Sequence, residues 1–116
     1  MLLAAETVLT GRELLRPGWI DIRGAEVAAI GSGQPPGAID RDLGAMTVVP
    51  GFVDTHCHGG GGANFSTAVP AETATAVALH RGHGTTTALA SLVTAGPEEL
   101  LRQVGALADD VRAGVI

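Results

Sequence analysis

Two imidazoles one residue apart, His56 and His58, are the groups in this 116-residue sequence best placed to do chemistry. They end the run Thr47-Val48-Val49-Pro50-Gly51-Phe52-Val53-Asp54-Thr55-His56-Cys57-His58, whose β-branched and aromatic residues read as a buried strand; four glycines, Gly59 to Gly62, follow at once as the loop where that strand stops. Side chains alternate faces along a strand, so residues two apart point the same way. His56 and His58 can therefore aim at one point while Cys57 faces oppositely. Neutral imidazole is a good ligand for zinc and similar ions, and two of them on one strand bind with little loss of chain entropy. A catalytic ion needs at least one more protein ligand and an open position for water. The competing reading is that the pair is polar material at a solvent-exposed strand end. The apolar strand before it, Asp54 upstream and the glycines after it weigh for the metal site.

Asp54 shares the histidine face if the strand is regular, and from there it could accept the outer N–H of a metal-bound imidazole; a carboxylate capping loop amides is the equal alternative. Cys57 reads as a small packed side chain. Gly60 and Gly61 lie where backbone N–H groups could approach a substrate, as phosphate-cradling loops do. The glycine run nevertheless matches neither the dinucleotide fingerprint nor the P-loop, which needs a lysine this sequence lacks, and a flexible connection would look the same. Asn64 and Phe65 are placed to line a pocket beside that loop, or simply to pack beneath it. His80 and His83 bracket the end of an expected helix, where they suit terminal carbonyls and the helix dipole better than ligation.

The elements that must hold these groups fall into two stretches. Over residues 1–47, short apolar segments separated by turn residues predict a small antiparallel sheet of hairpins: a strand from Leu2 to Leu9, another from Trp19 to Arg23, a tight turn at Gly24-Ala25, and a partner from Glu26 to Ile30. Gly31 to Gly37, with two prolines, should be an exposed loop, and Ala38 to Leu43 a further short strand. Over 48–116, strands alternate with helices. Pro70 suits a first helical position and Glu72 a first turn, which predicts a helix over 70–82; Thr85 to Val93 reads as the next strand. Pro97 opens a second helix with Glu98 and Glu99 in its first turn, an apolar stripe at Leu100, Val104, Leu107 and Val111, and Arg112 near its end. Strand, helix, strand, helix implies an α/β fold with a parallel sheet and right-handed crossovers. A complete (β/α)₈ barrel needs about 250 residues, so at most a quarter of one is present, and the sequence reads as the truncated N-terminal fragment of something longer.

Composition excludes several classes of function. Hydrophobic residues make up 46% and aromatics only 3%, a globular balance carried by small side chains and 17 glycines. The net charge of −5, with acids spread along the chain, offers no basic patch for a phosphate backbone, so nucleic acid is not an expected partner. One cysteine cannot form an internal disulfide. No basic leader is present, since Glu6 interrupts the first apolar run, and no stretch approaches the roughly 20 apolar residues of a membrane helix. A cytoplasmic protein without a membrane partner is the expectation.

The run Pro50-Gly51-Phe52-Val53-Asp54-Thr55-His56-Cys57-His58 resembles the first barrel strand of the amidohydrolase superfamily, and the N-terminal hairpins resemble that superfamily's small β-sandwich. On that motif alone, dihydroorotase, hydantoinase and cytosine deaminase relatives fit equally. The segments that follow, His58-Gly59-Gly60-Gly61-Gly62-Ala63-Asn64-Phe65, His83-Gly84-Thr85-Thr86-Thr87 and Ser91-Leu92-Val93-Thr94 before Pro97-Glu98-Glu99-Leu100, are similar to the N-acetylglucosamine-6-phosphate deacetylases, and the resemblance spans essentially all of the sequence. It implies a β-sandwich portion followed by the first two βα units of a (β/α)₈ TIM-like barrel, a divalent metal ion, zinc or iron, and hydrolysis of an amino-sugar phosphate to acetate and the free amine. In such a mechanism the ion polarises the acetamide carbonyl and activates water, and a late-strand aspartate serves as general base. That aspartate and the third-strand glutamate ligand lie beyond Ile116. Only His56 and His58 carry over as ligands, and since some relatives replace this pair and keep one ion, its retention favours an additional metal position. The fragment alone should be inactive, and a homodimer is expected of the full-length protein. The reading from another class is a complete, non-catalytic metal-binding module.

Overall fold

The computed structural model describes residues 1–116. Its first two strands, β1 (Leu2–Ala5) and β2 (Thr7–Leu9), come from one apolar run yet enter different sheets, with Glu6 as the bend between them. This corrects the single strand expected from Leu2 to Leu9. An unbroken pleat would put Ala5 and Val8, three apart, on opposite faces; the bend lets both enter one core with Ile20. The backbone stays bonded at the break, where Glu6 N–H donates to the Gly44 carbonyl at 2.8 Å.

β3 (Leu14–Leu15) pairs antiparallel with β2, and β4 (Gly18–Arg23) forms a hairpin with β5 (Glu26–Ser32) around Gly24 and Ala25. The ladder runs two residues past Ile30, into the stretch expected to be loop. Gly31 faces Trp19, whose indole lies where a Cβ would be, so the missing side chain makes room for the ring and the pairing continues. β6 (Arg41–Asp42) is all that forms of the strand expected over Ala38 to Leu43. It runs parallel to β1, as β7 (Thr47–Val48) runs parallel to β2. The sheets are therefore β5-β4-β1-β6 and β3-β2-β7, mixed rather than antiparallel throughout, because the chain returns past Pro35 and Pro36 in the direction it started. Ala5, Val8 and Ile20 are buried, with Leu3, Leu15, Ile22, Leu43 and Val48 packed on them. Met1–Pro50 make up this first unit and Gly51–Ile116 the second. The boundary falls after Pro50 rather than after residue 47 because β7 is tied to β2.

The second unit begins with β8 (Phe52–Cys57). The long strand expected from Thr47 to His58 is thus divided: Pro50 has no N–H to give a ladder, and Val49 to Gly51 belong to no strand. After β8 come β9 (Gly59–Gly60), β10 (Ala63–Asn64), a 3₁₀ turn at Phe65–Thr67, α1 (Pro70–Gly82), β11 (Thr85–Ala90) and α2 (Pro97–Arg112). Both helices have proline in the first turn with glutamate beside it, where the dipole favours an anion. β11 lies parallel to β8, as the alternation of elements requires. Phe65, 1% exposed, is the centre of a core with Cys57, Ala76 and Leu107. Cover elsewhere is thin. Phe52 and Val53 of β8 are 57% and 62% exposed, against the buried strand expected, because β11 is the only strand beside β8. On α2 only Leu107 of the apolar stripe is buried, while Val104 and Val111 are more than half exposed. Neither helix is long and apolar enough to cross a membrane.

Candidate metal centre

Pairing between β8 and β11 slips near its end: Asp54 stands opposite Ala88, but Cys57 stands opposite Ala90, so three steps on β8 match two on β11. That bulge breaks the alternation of side chains just before the histidines. Ser91 N–H donates to the Cys57 carbonyl at 2.7 Å and carries the pairing one step past the end of β11.

At the carboxyl end of β8 the two imidazoles converge. Their Nε2 atoms are 3.1 Å apart, and the rings meet edge to face with centroids 4.8 Å apart and an 85° angle between planes. Two nitrogens bound to one zinc ion at about 2.0–2.1 Å stand about 3.4 Å apart in tetrahedral geometry, so the observed spacing suits two ligands of one ion. On the far side of its ring, His56 Nδ1 is 3.5 Å from Ser91 Oγ. Such an outer partner holds an imidazole in the tautomer that leaves Nε2 free to ligate. Both histidines are exposed. These observations fit the pair to a divalent ion as two of its ligands.

Of the two readings of Asp54, the geometry matches a carboxylate that caps a backbone amide. Its Oδ1 accepts the backbone N–H of His56 at 3.1 Å, not a ring N–H, and its carboxylate lies within 4.8 Å of Cys57 Sγ and a ring nitrogen of His80. The bulge is the reason, since it brings residues 54 and 57 to a common side when an unbroken strand would separate them. Asp54 therefore steadies the backbone that carries His56 rather than its imidazole.

The glycines form an ordered hairpin instead of a flexible connection. Gly60 pairs with Ala63 and Gly59 with Asn64, and Gly61 and Gly62 make the turn with φ of 64° and 83°. Two consecutive residues of positive φ define the tight hairpin turn that glycine adopts without strain. Gly61 passes over Thr75 and Leu79 of α1. Asn64 caps the 3₁₀ turn: its Oδ1 accepts Ser66 N–H at 2.8 Å, and its own N–H donates to Glu72 at 3.1 Å. Phe65 packs in the core and also lines a cleft with Val77 and His80.

Two participants escape a reading of sequence alone. Ser91 follows a strand of no catalytic pattern, and only the parallel register beside Cys57 brings it to His56. His80 turns inward: its Nε2 is 3.2 Å from Cys57 Sγ and 3.0 Å from the Gly59 carbonyl, whereas His83 does cap the helix, through Nδ1 at 2.9 Å from the Leu79 carbonyl. Spacing held the clue for His80, which lies seven residues after the buried Thr73 and so on the same inner face of α1.

A parallel strand pair with two imidazoles converging at its carboxyl end is what the structure shows, and solved structures share that fold. No family profile matches the chain, nor does any curated protein. N-acetyl-D-glucosamine-6-phosphate deacetylase from Mycobacterium smegmatis is 70% identical to it, covering 100% of this chain and 33% of that one with a TM-score of 0.97. An aspartate-to-alanine variant of the M. smegmatis enzyme in complex with N-acetyl-D-glucosamine-6-phosphate matches at 70% identity and TM-score 0.97, covering 100% of this chain and 30% of that one. The chain is thus similar over its whole length to N-acetyl-D-glucosamine-6-phosphate deacetylase, and it spans about a third of the length of those relatives.

Proposed function

We propose that this chain is part of a metal-dependent hydrolase that converts N-acetyl-D-glucosamine 6-phosphate to D-glucosamine 6-phosphate and acetate, and that it contributes His56 and His58 to the metal centre. The observation that carries the proposal is 70% identity to the M. smegmatis deacetylase over all 116 residues. In this reading the two mixed sheets of residues 1–50 are part of a β-sandwich, and β8-α1-β11-α2 opens a (β/α)₈ barrel whose active site lies at the carboxyl ends of its strands.

A bound divalent ion, zinc or iron, would supply Lewis acidity toward the acetamide carbonyl and a nucleophilic water at neutral pH. The work of this chain is to place the donors. Parallel pairing fixes the strand ends, the Asp54 carboxylate holds the backbone amide of His56, and Ser91 Oγ stands at the outer nitrogen of that imidazole. Gly61, at the tip of the hairpin beyond His58, is a candidate to approach the substrate through its backbone N–H. Since the glutamate ligand and the aspartate base of the family are not among these residues, the 116-residue chain by itself should release no acetate.

Acetate release from N-acetyl-D-glucosamine 6-phosphate, with metal analysis of the same sample, tests the proposal on the full-length protein. Turnover of the phosphorylated sugar with a bound divalent ion is the expected result. Turnover of a cyclic amide such as dihydroorotate, with none of the sugar, would replace the deacetylase by another amidohydrolase.

A further inference from the structure

We propose that Cys57, His80 and Asp54, together with the carbonyl of Gly59, form a second cation site that uses no atom of the His56–His58 pair and takes a thiophilic divalent ion such as zinc. Three donors of different kinds already surround one point. Cys57 Sγ and His80 Nε2 are 3.2 Å apart, His80 Nε2 and Gly59 O are 3.0 Å apart, and Cys57 Sγ and Gly59 O are 3.4 Å apart. Zinc bonds of about 2.0–2.3 Å set tetrahedral ligands about 3.3–3.8 Å from one another, so this triangle needs to open only slightly to become one face of a tetrahedron. The Asp54 carboxylate lies within 4.8 Å of both the thiol and the imidazole and supplies the fourth corner after closing by about 1 Å.

Charge and burial favour the same reading. Cys57 is buried, while Asp54 and His80 are half-buried. A dication bound by a thiolate and a carboxylate, with neutral imidazole and carbonyl completing the set, has no net charge, which removes most of the cost of placing an ion there. Binding releases the thiol proton to solvent and requires the imidazole proton on Nδ1, leaving the Nε2 lone pair for the metal. Without the ion Cys57, His80 and the Gly59 carbonyl contact one another at hydrogen-bond distance, while Asp54 accepts from the His56 amide. A Cβ at Gly60 would stand 2.7 Å from His80 Nε2; the bare backbone is what lets the imidazole sit there. On the helix side His80 also lines a cleft of about 290 Å³ with Phe65, Val77 and Thr87. An ion in this position clamps β8 to α1.

Cobalt(II) is the probe that separates this site from the histidine pair, because only a sulfur ligand gives an intense near-ultraviolet charge-transfer band. Titrating the full-length protein with cobalt(II) should produce that band, and the His56→Ala, His58→Ala double variant should keep it. Cys57→Ser should abolish it, and His80→Gln should weaken the apparent affinity at least ten-fold. Circular dichroism of each variant establishes that it is folded, and the wild-type titration needs no variant. Absence of the band from the wild-type protein, its loss from the double histidine variant, or wild-type affinity in His80→Gln would each overturn the proposal.

Discussion

The amide of Ser91 donates to the carbonyl of Cys57 at 2.7 Å, and that single bond past the end of β11 brings the serine hydroxyl to within 3.5 Å of His56 Nδ1. Backbone pairing between two strands thus orients an imidazole on the first through a side chain on the second. Ser91→Ala in the full-length protein should lower metal affinity by about ten-fold, the magnitude usual for losing an outer partner of a ligand, while leaving the fold intact. Competition with a chromophoric chelator measures it. Equal affinity in the variant and the parent would show that the hydroxyl does not orient His56.

Replacing the pair itself has a larger consequence. A His56→Ala, His58→Ala variant of the full-length protein should lose one equivalent of bound metal, read by elemental analysis against protein concentration. Unchanged metal content would remove both residues from the ligand set.

The second unit depends on Phe65. Phe65→Ala empties a site that is 1% exposed and should destabilise by about 3–5 kcal/mol, measured by urea unfolding. Val104→Ala, on the exposed part of the α2 stripe at 54%, should fall within about 0.5 kcal/mol of the parent. A comparable loss at both positions would mean that Val104 is covered in solution.

The hairpin turn calls for a different substitution. Gly62 has φ of 83° and open space around its Cα, so a side chain there meets backbone strain and nothing else. Gly62→Val should cost about 1–2 kcal/mol and Gly62→Asn clearly less, because asparagine tolerates the left-handed region. Thermal melts of the two variants side by side decide the point.

At the start of α2, hydrogen bonds from Arg102 and then Gln103 hold the exposed Glu99 carboxylate at a pKa of about 2, below the ordinary 4.5. With the folded value below the unfolded one, what this carboxylate adds to stability is fully present above pH 4.5 and fades as the pH falls toward about 2. Carbon-detected NMR titration of the side-chain carboxyl should show the low midpoint, and Arg102→Ala should move it upward. A midpoint unaffected by that change would dissociate the shift from the ion pair.

How much of this was legible in the sequence depended on whether local chemistry decided the outcome. Proline at the first helical position and glycine or a terminal arginine at the end set α1 at Pro70–Gly82 and α2 at Pro97–Arg112, as the residue pattern predicts. The convergence of His56 and His58 follows from their spacing. Features that depend on partners distant in sequence were hidden. No local signal tells that Thr47–Val48 lies beside Thr7–Val8, or that Arg41–Asp42 runs parallel to β1. The bulge that turns Asp54 toward Cys57 and His80 is a property of the β8–β11 register, invisible in either strand alone. Gly59 to Gly62 suggested mobility by composition, yet composition cannot distinguish a slack loop from a hairpin that requires positive φ. Exposure of Val104 and Val111 likewise reflects what packs on α2, which periodicity does not reveal.

The tie between β2 and β7 also sets an order of events on the ribosome. The strand pairings within the first unit all lie between Leu2 and Val48, so they become available as soon as Val48 emerges. β8 emerges next but has no strand neighbour until Thr85 follows, and during that interval Phe52 and Val53 travel with an open edge. Synthesis therefore delivers the histidine strand unprotected for as long as it takes to make α1, and a chaperone or slow translation over that stretch would act on β8 before any other part of the second unit.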